Sequence, residues 1–319
     1  MERIYIISTP YHLLISIVKT ILDNRVGKDY IILYKKNFSS TAINRASLVF
    51  KKIFQHSDID ILVNLICLKI KTTKLPILSF FSNQKYGLDV SWYKKKDIYI
   101  FNDNSYFGCF LNTHKINYTL IEDSLDFYKA NPFISNHHSK IYGFLGFHWK
   151  YLSQSELSKA IEVNETRNLW LRSNKITESS RNKMFSNLKE KDIEIIANIF
   201  DYQPIQFSSS NEKTLLLTQP LDESIMNHER KIKLYKFLVK KFVIGTLYIK
   251  VHPREKENYS KIFPSAIILG NNTIPFEVYQ LKEKFHFNRA ITACSRAIDS
   301  VSCADEKIFM GVDWTINFK

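Results

Sequence analysis

The run Gln219-Pro220-Leu221-Asp222-Glu223 stops an apolar segment with two carboxylates, groups able to take a proton from a hydroxyl. Read purely as structure, Asp222 is a helix N-cap and Glu223 a first-turn acid, worth about 0.5 to 2 kcal/mol to the helix. Lys250-Val251-His252-Pro253-Arg254-Glu255 ends a second apolar segment in an imidazole stiffened by Pro253 and flanked by cations. A solvated basic strand end accounts for the cations but not for His252, which suits a phosphate as hydrogen-bond donor or acid. In Ile274-Pro275-Phe276-Glu277, Pro275 fits a first helical turn and Glu277 lies two residues inside it. Helix-start chemistry explains a Glu there, and so does a ribose diol, whose hydroxyls a carboxylate accepts. Cys294-Ser295-Arg296-Ala297 offers a hydroxyl, a guanidinium and the amides of a helix start. That set suits an anion or, equally, a plain N-cap with Arg296 at the surface.

These groups form a site only if strands deliver them to a common edge. In the second half the order reads TLLLTQPL at 214–221, a helix from about Glu223 to Phe242, TLYIKVHPRE at 246–255, AIILG at 266–270, a helix from near Pro275, and RAITACS at 289–295. That is a β-α-β series, and its strands point to a parallel sheet. The first half opens the same way: IYIIS runs through Thr9-Pro10 into an amphipathic YHLLISIVKTILDN. Strands follow at 29–34, around 59–68, at 97–102 and at 116–124, the last ending in acids where an α/β sheet exposes its ligand-facing edge. Segments 173–183 and 207–213 read as linkers, so the boundary is placed near 205. The expected fold is α/β of the GT-B type, with Rossmann-like domains at 1–205 and 206–319 facing a central cleft.

Composition narrows the class without choosing a function. The 319 residues are 45% apolar and 24% charged, which excludes a disordered, collagen-like or coiled-coil chain. Lys and Arg total 45 against 31 Asp and Glu, a net charge of +14 that favours an anionic partner. Cys67, Cys109, Cys294 and Cys303 form no CxxC pair, so reduced thiols are expected. The amino terminus lacks a signal-peptide pattern, and no run reaches the roughly 18 to 20 apolar residues of a membrane span, so a cytoplasmic location is expected.

LLLTQPLDES, YIKVHPREKENYSKIFP, TIPFEV and RAITACSRAIDS, in that order, resemble the bacterial glycosyltransferase family 52, the sialyltransferases of lipooligosaccharide and capsule synthesis. STPYHLL near the start is also similar to the opening of these enzymes. The resemblance implies an inverting, metal-independent transfer of sialic acid from CMP-sialic acid to a terminal galactose-type hydroxyl, with no cofactor. It makes Asp222 the first choice of base and Glu223 the second, and places the departing CMP phosphate at His252. Within that donor-binding set, Glu277 holds the ribose and Ser295 the phosphate, with Pro253, Arg254, Pro275, Phe276 and Arg296 beside them. The amino-terminal half is then the acceptor side, with Pro10, Tyr11, His12, Glu122 and Asp123 as its residues, and the carboxyl-terminal half binds CMP. Relatives of this kind form dimers, so a homodimer is an expectation.

Two departures stand out. Arg296 sits where relatives carry a second hydroxyl, and Glu122-Asp123-Ser124 lacks the Gly that gives the related turn easy access to positive φ. A transferase using a glucose-type nucleotide sugar is the nearest rival. A nucleic-acid-binding protein is the remote one, since no RNA- or DNA-binding signature accompanies the charge. Under the transferase reading, Lys94-Lys95-Lys96 and Lys240-Lys241 offer contacts to an acidic membrane face.

Overall fold

In a computed structural model the chain divides into two compact units, residues 1–188 and 189–319. The structure describes residues 1–34, 38–57, 61, 89–123, 127, 155–167, 169, 171, 173–205, 207, 209, 211–223, 225–295 and 297–318. The first unit is built on a seven-stranded sheet of order β3-β2-β1-β4-β5-β6-β7, parallel throughout. Its strands are β1 (Arg3–Ile7), β2 (Tyr30–Tyr34), β3 (Lys52–His56), β4 (Asp97–Ile100), β5 (Tyr118–Ile121), β6 (Ser158–Val163) and β7 (Ile176–Glu178). Helices α1 (Pro10–Leu22), α2 (Ser40–Arg45), α3 (Val90–Lys94), α4 (Tyr106–Thr113) and α5 (Arg181–Ser186) belong to it. The segments RIYII and YIILY are nearly continuous apolar runs, as a strand covered on both faces requires, and Ile4 to Ile7 and Tyr30 to Tyr34 are buried. Thr9 caps α1 by accepting the His12 amide at 3.2 Å, and Pro10 takes the first helical position, where its missing N–H costs nothing.

The second unit carries a five-stranded parallel sheet of order β10-β9-β8-β11-β12. The strands are β8 (Lys213–Leu217), β9 (Thr246–Lys250), β10 (Ile267–Ile268), β11 (Phe287–Thr292) and β12 (Ala304–Phe309). Its helices are α6 (Glu190–Ile199), α7 (His228–Phe242), α8 (Tyr259–Ile262), α9 (Phe276–Lys282), α10 (Ala297–Ser300) and α11 (Val312–Asn317). Helix α7 is amphipathic and turns Lys231, Leu234, Tyr235 and Leu238 inward, the i, i+3, i+4, i+7 stripe. Both sheets place their first strand beside their fourth, the Rossmann arrangement, and in both the order reverses between those two strands.

Several expectations shift. The units part after Leu188, before the expected boundary at 205, because α6 joins the second unit: it packs on α9, Lys282 pairs with Glu194, and the Tyr202 hydroxyl donates to Glu283. The stretch 173–183 is not a linker; it contains β7 and the start of α5. The strand expected at 59–68 lies, Ile61 apart, outside the described residues, and a strand the sequence reading did not single out, β3, stands at 52–56. β12 and α11 carry mixed polar patterns that periodicity does not single out. Cys109, Cys294 and Cys303 form no disulfide among the described residues. Among the described residues no helix is long and apolar enough to cross a membrane.

Candidate active site

In a parallel sheet the carboxyl ends of all strands share one edge, and ligands bind where the strand order reverses. In the second unit that point lies between β8 and β11. The loops after them are joined there: Cys294 Sγ donates to Gln219 Oε1 at 2.8 Å, and Thr292 Oγ1 donates to Leu217 O at 3.0 Å. β9 is tied to the same place by the His252 amide, which donates to Thr218 Oγ1 at 3.1 Å. Gln219 to Glu223, His252 to Arg254, Glu277 and Ser295 therefore stand on one edge of one sheet.

Asp222 and Glu223 lie in a 3₁₀ turn, Leu221–Glu223, not at the start of α7. Asn227 caps that helix, its side chain accepting the Arg230 amide at 2.9 Å, so the N-cap reading of Asp222 is set aside. The Asp222 carboxylate meets Lys231 Nζ at 2.9 Å. Lys231 is 1% exposed and also reaches Glu255 Oε2 at 2.9 Å and Glu257 Oε1 at 3.2 Å. It therefore clasps the loop after β8 to the loop after β9. Burial acts to raise the Asp222 carboxyl, but the Lys231 hydrogen bond and charge outweigh it and hold the group below the ordinary aspartate range. Glu255, more deeply buried, is moved the other way: desolvation outweighs Lys231 and raises it. Lys231 stays above its usual range because three carboxylates overcome its desolvation. Asp222, His228 and Glu257 bring one ligand atom each within 4.8 Å of the others, a spacing a cation could use. The Lys231 ammonium already supplies a positive charge to two of these three groups. Glu223, at the surface, pairs with Arg254 Nη1 at 2.6 Å.

His252 Nδ1 accepts the Arg254 amide at 3.1 Å, which leaves the ring proton on Nε2 when the imidazole is neutral. Nε2 has no hydrogen-bond partner among the described residues. Burial, then the charges of Arg254 and Lys250, push His252 down to about 4, so at neutral pH it is a donor and not a cation. Lys250 is buried, contrary to the solvated strand end expected. Its Nζ donates to Val251 O and Asn272 O, both at 3.1 Å, and burial pushes it down to about 7 against the pull of Glu277.

Glu277 sits in the first turn of α9, its carboxyl raised by burial and one oxygen accepting the Ser300 hydroxyl at 2.7 Å. Pro275 is the N-cap of α9 and is buried. Phe276 is 4% exposed and packs on Tyr279 and Phe285, a core position. Ser295 Oγ accepts the Ala297 amide at 3.3 Å, so that amide of the short α10 is already engaged. Pro253 is exposed and accepts Asn272 Nδ2 at 3.4 Å. Arg296 lies outside the described residues. Lys231, Glu257 and the buried state of Lys250 escaped sequence reasoning. The available signal was a lysine at the inward register of an otherwise apolar helical stripe.

The first unit builds a second cluster at its own reversal, between β1 and β4. His12, 2% exposed, stacks on Phe101 with centroids 4.3 Å apart and planes at 7°. Its Nδ1 accepts the Ser8 amide at 3.2 Å, and its Nε2 faces Asp123 Oδ2 at 3.5 Å. Tyr11 meets the His12 ring edge-on at 6.5 Å, and Pro10 is buried at the helix start. Glu122 accepts the Asn164 amide at 2.6 Å, which ties the end of β5 to that of β6. Ser124 lies outside the described residues.

The sequence model of Glycosyltransferase family 52 matches residues 68–312. An uncharacterized protein of Haemophilus influenzae is 30% identical over 196 residues, 57% of this chain and 58% of that protein, so the match spans little more than half of either. The fold is similar to that of the 2,6-sialyltransferase of Photobacterium sp. JT-ISH-224, solved with CMP and lactose, at a TM-score of 0.55 and 12% identity. That likeness covers 97% of this chain and 71% of that one. The sialyltransferase of Photobacterium damsela gives 0.51 at 11% identity, over 97% and 74% of the two chains. The α/β fold with two Rossmann-like sheets is of the GT-B type.

Proposed function

We propose that this protein, which belongs to glycosyltransferase family 52, is an inverting, metal-independent sialyltransferase that moves sialic acid from CMP-sialic acid to a galactose-type hydroxyl of a bacterial surface glycan. The observation that carries the reading is His252. It stands at the reversal-side edge of a Rossmann-like sheet, with Nδ1 occupied by a backbone amide and an N–H at Nε2 left for a ligand. A neutral N–H donor suits a leaving phosphate, which is weakly basic and needs charge stabilisation more than a proton. The Photobacterium enzyme of similar fold was solved with CMP and lactose, which supports the same pair of ligand classes here.

In this reading Asp222 is the base and Glu223 its alternate. Lys231 keeps Asp222 ionised and oriented. The acceptor hydroxyl attacks the anomeric carbon and its proton passes to Asp222. The bond to the CMP oxygen breaks as its electron pair moves onto the phosphate beside His252, Ser295 and Arg254. Glu277 receives the ribose, and Tyr11, His12, Glu122 and Asp123 belong to the acceptor side. The reading is metal-independent, and the positive charge that Lys231 supplies to the acid cluster around Asp222 supports it.

Incubation with CMP-sialic acid and lactose, with and without chelator, tests the proposal through CMP release. Equal CMP release in both, dependent on lactose, is the expected outcome. Release from a glucose-type nucleotide sugar but not from CMP-sialic acid rejects the donor and leaves the family.

A further inference from the structure

We propose that the amino-terminal edge of the first sheet, opposite the edge that holds His12 and Asp123, is a docking face for an anionic lipid bilayer. Because all seven strands run parallel, the segments that lead into them gather on that one edge. Lys28 precedes β2, Lys51 and Lys52 stand at the start of β3, Lys94 and Lys95 precede β4, and Lys115 precedes β5. Of these only Lys51 has a carboxylate within 4 Å among the described residues. All six are exposed. Four acids of the edge already hold cations, Glu2 with Lys51 and Lys96, Asp23 with Arg3, Asp29 with Arg25 and Asp97 with Lys159, while Glu156, before β6, is exposed. The six lysines outnumber the acids left over on this edge, which leaves the surface net positive.

Apolar tips are set among those charges. Five large hydrophobic residues are exposed among the described residues, and three of them lie here: Met1 at 79%, Val26 at 47% and Leu48 at 52%. The loops that carry Val26 and Leu48 are tied by Gly27 N donating to Val49 O at 2.8 Å, and Lys51 N donates to Asp29 O at 2.8 Å. Beside them an open cavity of about 380 Å³ is lined by Met1, Glu2, Arg25, Gly27, Lys28 and Lys51.

The mixture identifies the partner. A single-stranded nucleic acid is held by cations together with aromatic faces on which bases stack. On this edge the rings of Tyr30, Phe54 and Trp92 lie under the ammonium groups of Lys51, Lys52 and Lys96, and the exposed apolar groups are aliphatic. Aliphatic tips among lysines match the headgroup–acyl boundary of an acidic bilayer. Docked there, the sheet holds its His12 edge away from the lipid by the length of a five-residue strand, roughly 16 Å. The inference does not depend on the transferase reading, since lipid docking and sugar transfer are measured apart.

Cosedimentation of the full chain with vesicles of phosphatidylcholine, with and without phosphatidylglycerol, over a salt series tests it. Binding to the phosphatidylglycerol vesicles that weakens with salt is expected. The Lys28→Gln, Lys52→Gln, Lys95→Gln triple variant should partition roughly 100-fold less, at about fivefold per lysine, with an unchanged melting temperature. Val26→Ser with Leu48→Ser should remove the part that survives high salt. Lys240→Gln with Lys241→Gln, at the end of α7 in the other unit, should change nothing. Equal binding to uncharged vesicles, no loss in the triple variant, or tighter binding to an oligonucleotide than to anionic vesicles at equal salt overturns the proposal.

Discussion

The carboxyl edges of the two sheets each hold an imidazole, and hold it in different ways. His12 and His252 both give Nδ1 to a backbone amide, from Ser8 and Arg254, and so both present Nε2. In the first unit that nitrogen is met by Asp123, and the ring is fixed by flat stacking on Phe101. In the second unit it meets no described residue, and the loops around it are fixed by buried charge: Lys231 among three carboxylates, and Lys250 near Glu277. Strand order decides where a site can form. Under the proposed reading a phosphate at the second edge would meet the open Nε2–H of His252, whereas the corresponding nitrogen of the first edge is already faced by Asp123.

The strongest way to break this contrast is Asp222→Asn. Loss of a general base lowers turnover by roughly 100- to 10,000-fold, with CMP affinity retained, and steady-state kinetics beside a CMP binding isotherm check both halves. Lys231→Met should cost about 3 to 5 kcal/mol of stability, since it strands buried carboxylates; a denaturant titration near the parent midpoint would show the network to be idle. His252→Ala should lower turnover by roughly 100- to 1,000-fold, as removal of one transition-state donor does, and weaken CMP as well.

Lys250 sharpens the contrast through pH. Its folded-state value of about 7 lies below the 10.5 of the free side chain, so between those values the unfolded chain binds more protons. Stability should therefore rise as pH climbs from about 7 towards 10.5, and Lys250→Met should flatten that rise in melting temperature. The smallest effect belongs to Glu223→Gln. Its ion pair with Arg254 is exposed on both sides, so the change in stability should stay within about 1 kcal/mol.

Much of this architecture is legible in the sequence, for identifiable reasons. IYII, YIILY and TLLL are apolar runs that a two-faced parallel sheet demands, and Thr9-Pro10 marks a helix start without ambiguity. The motif residues could be placed on one edge because each closes such a run. What was not legible depends on partners distant in sequence. Asp222 followed by Glu223 looks like a helix start, and only the packing of Lys231 shows that the helix begins later, at His228, and reaches back to hold the acid. Lys250 is indistinguishable from a surface lysine until the loop carrying Asn272 folds over it. β7 and α5 were hidden because short, half-exposed elements carry little periodicity.

The most direct test of the account is a set of CMP binding isotherms on the full chain and two variants, His252→Ala and Asp123→Asn. If the nucleotide belongs to the second unit, the first substitution weakens CMP and the second leaves it unchanged. CMP affinity lost with Asp123→Asn and retained with His252→Ala would contradict the account.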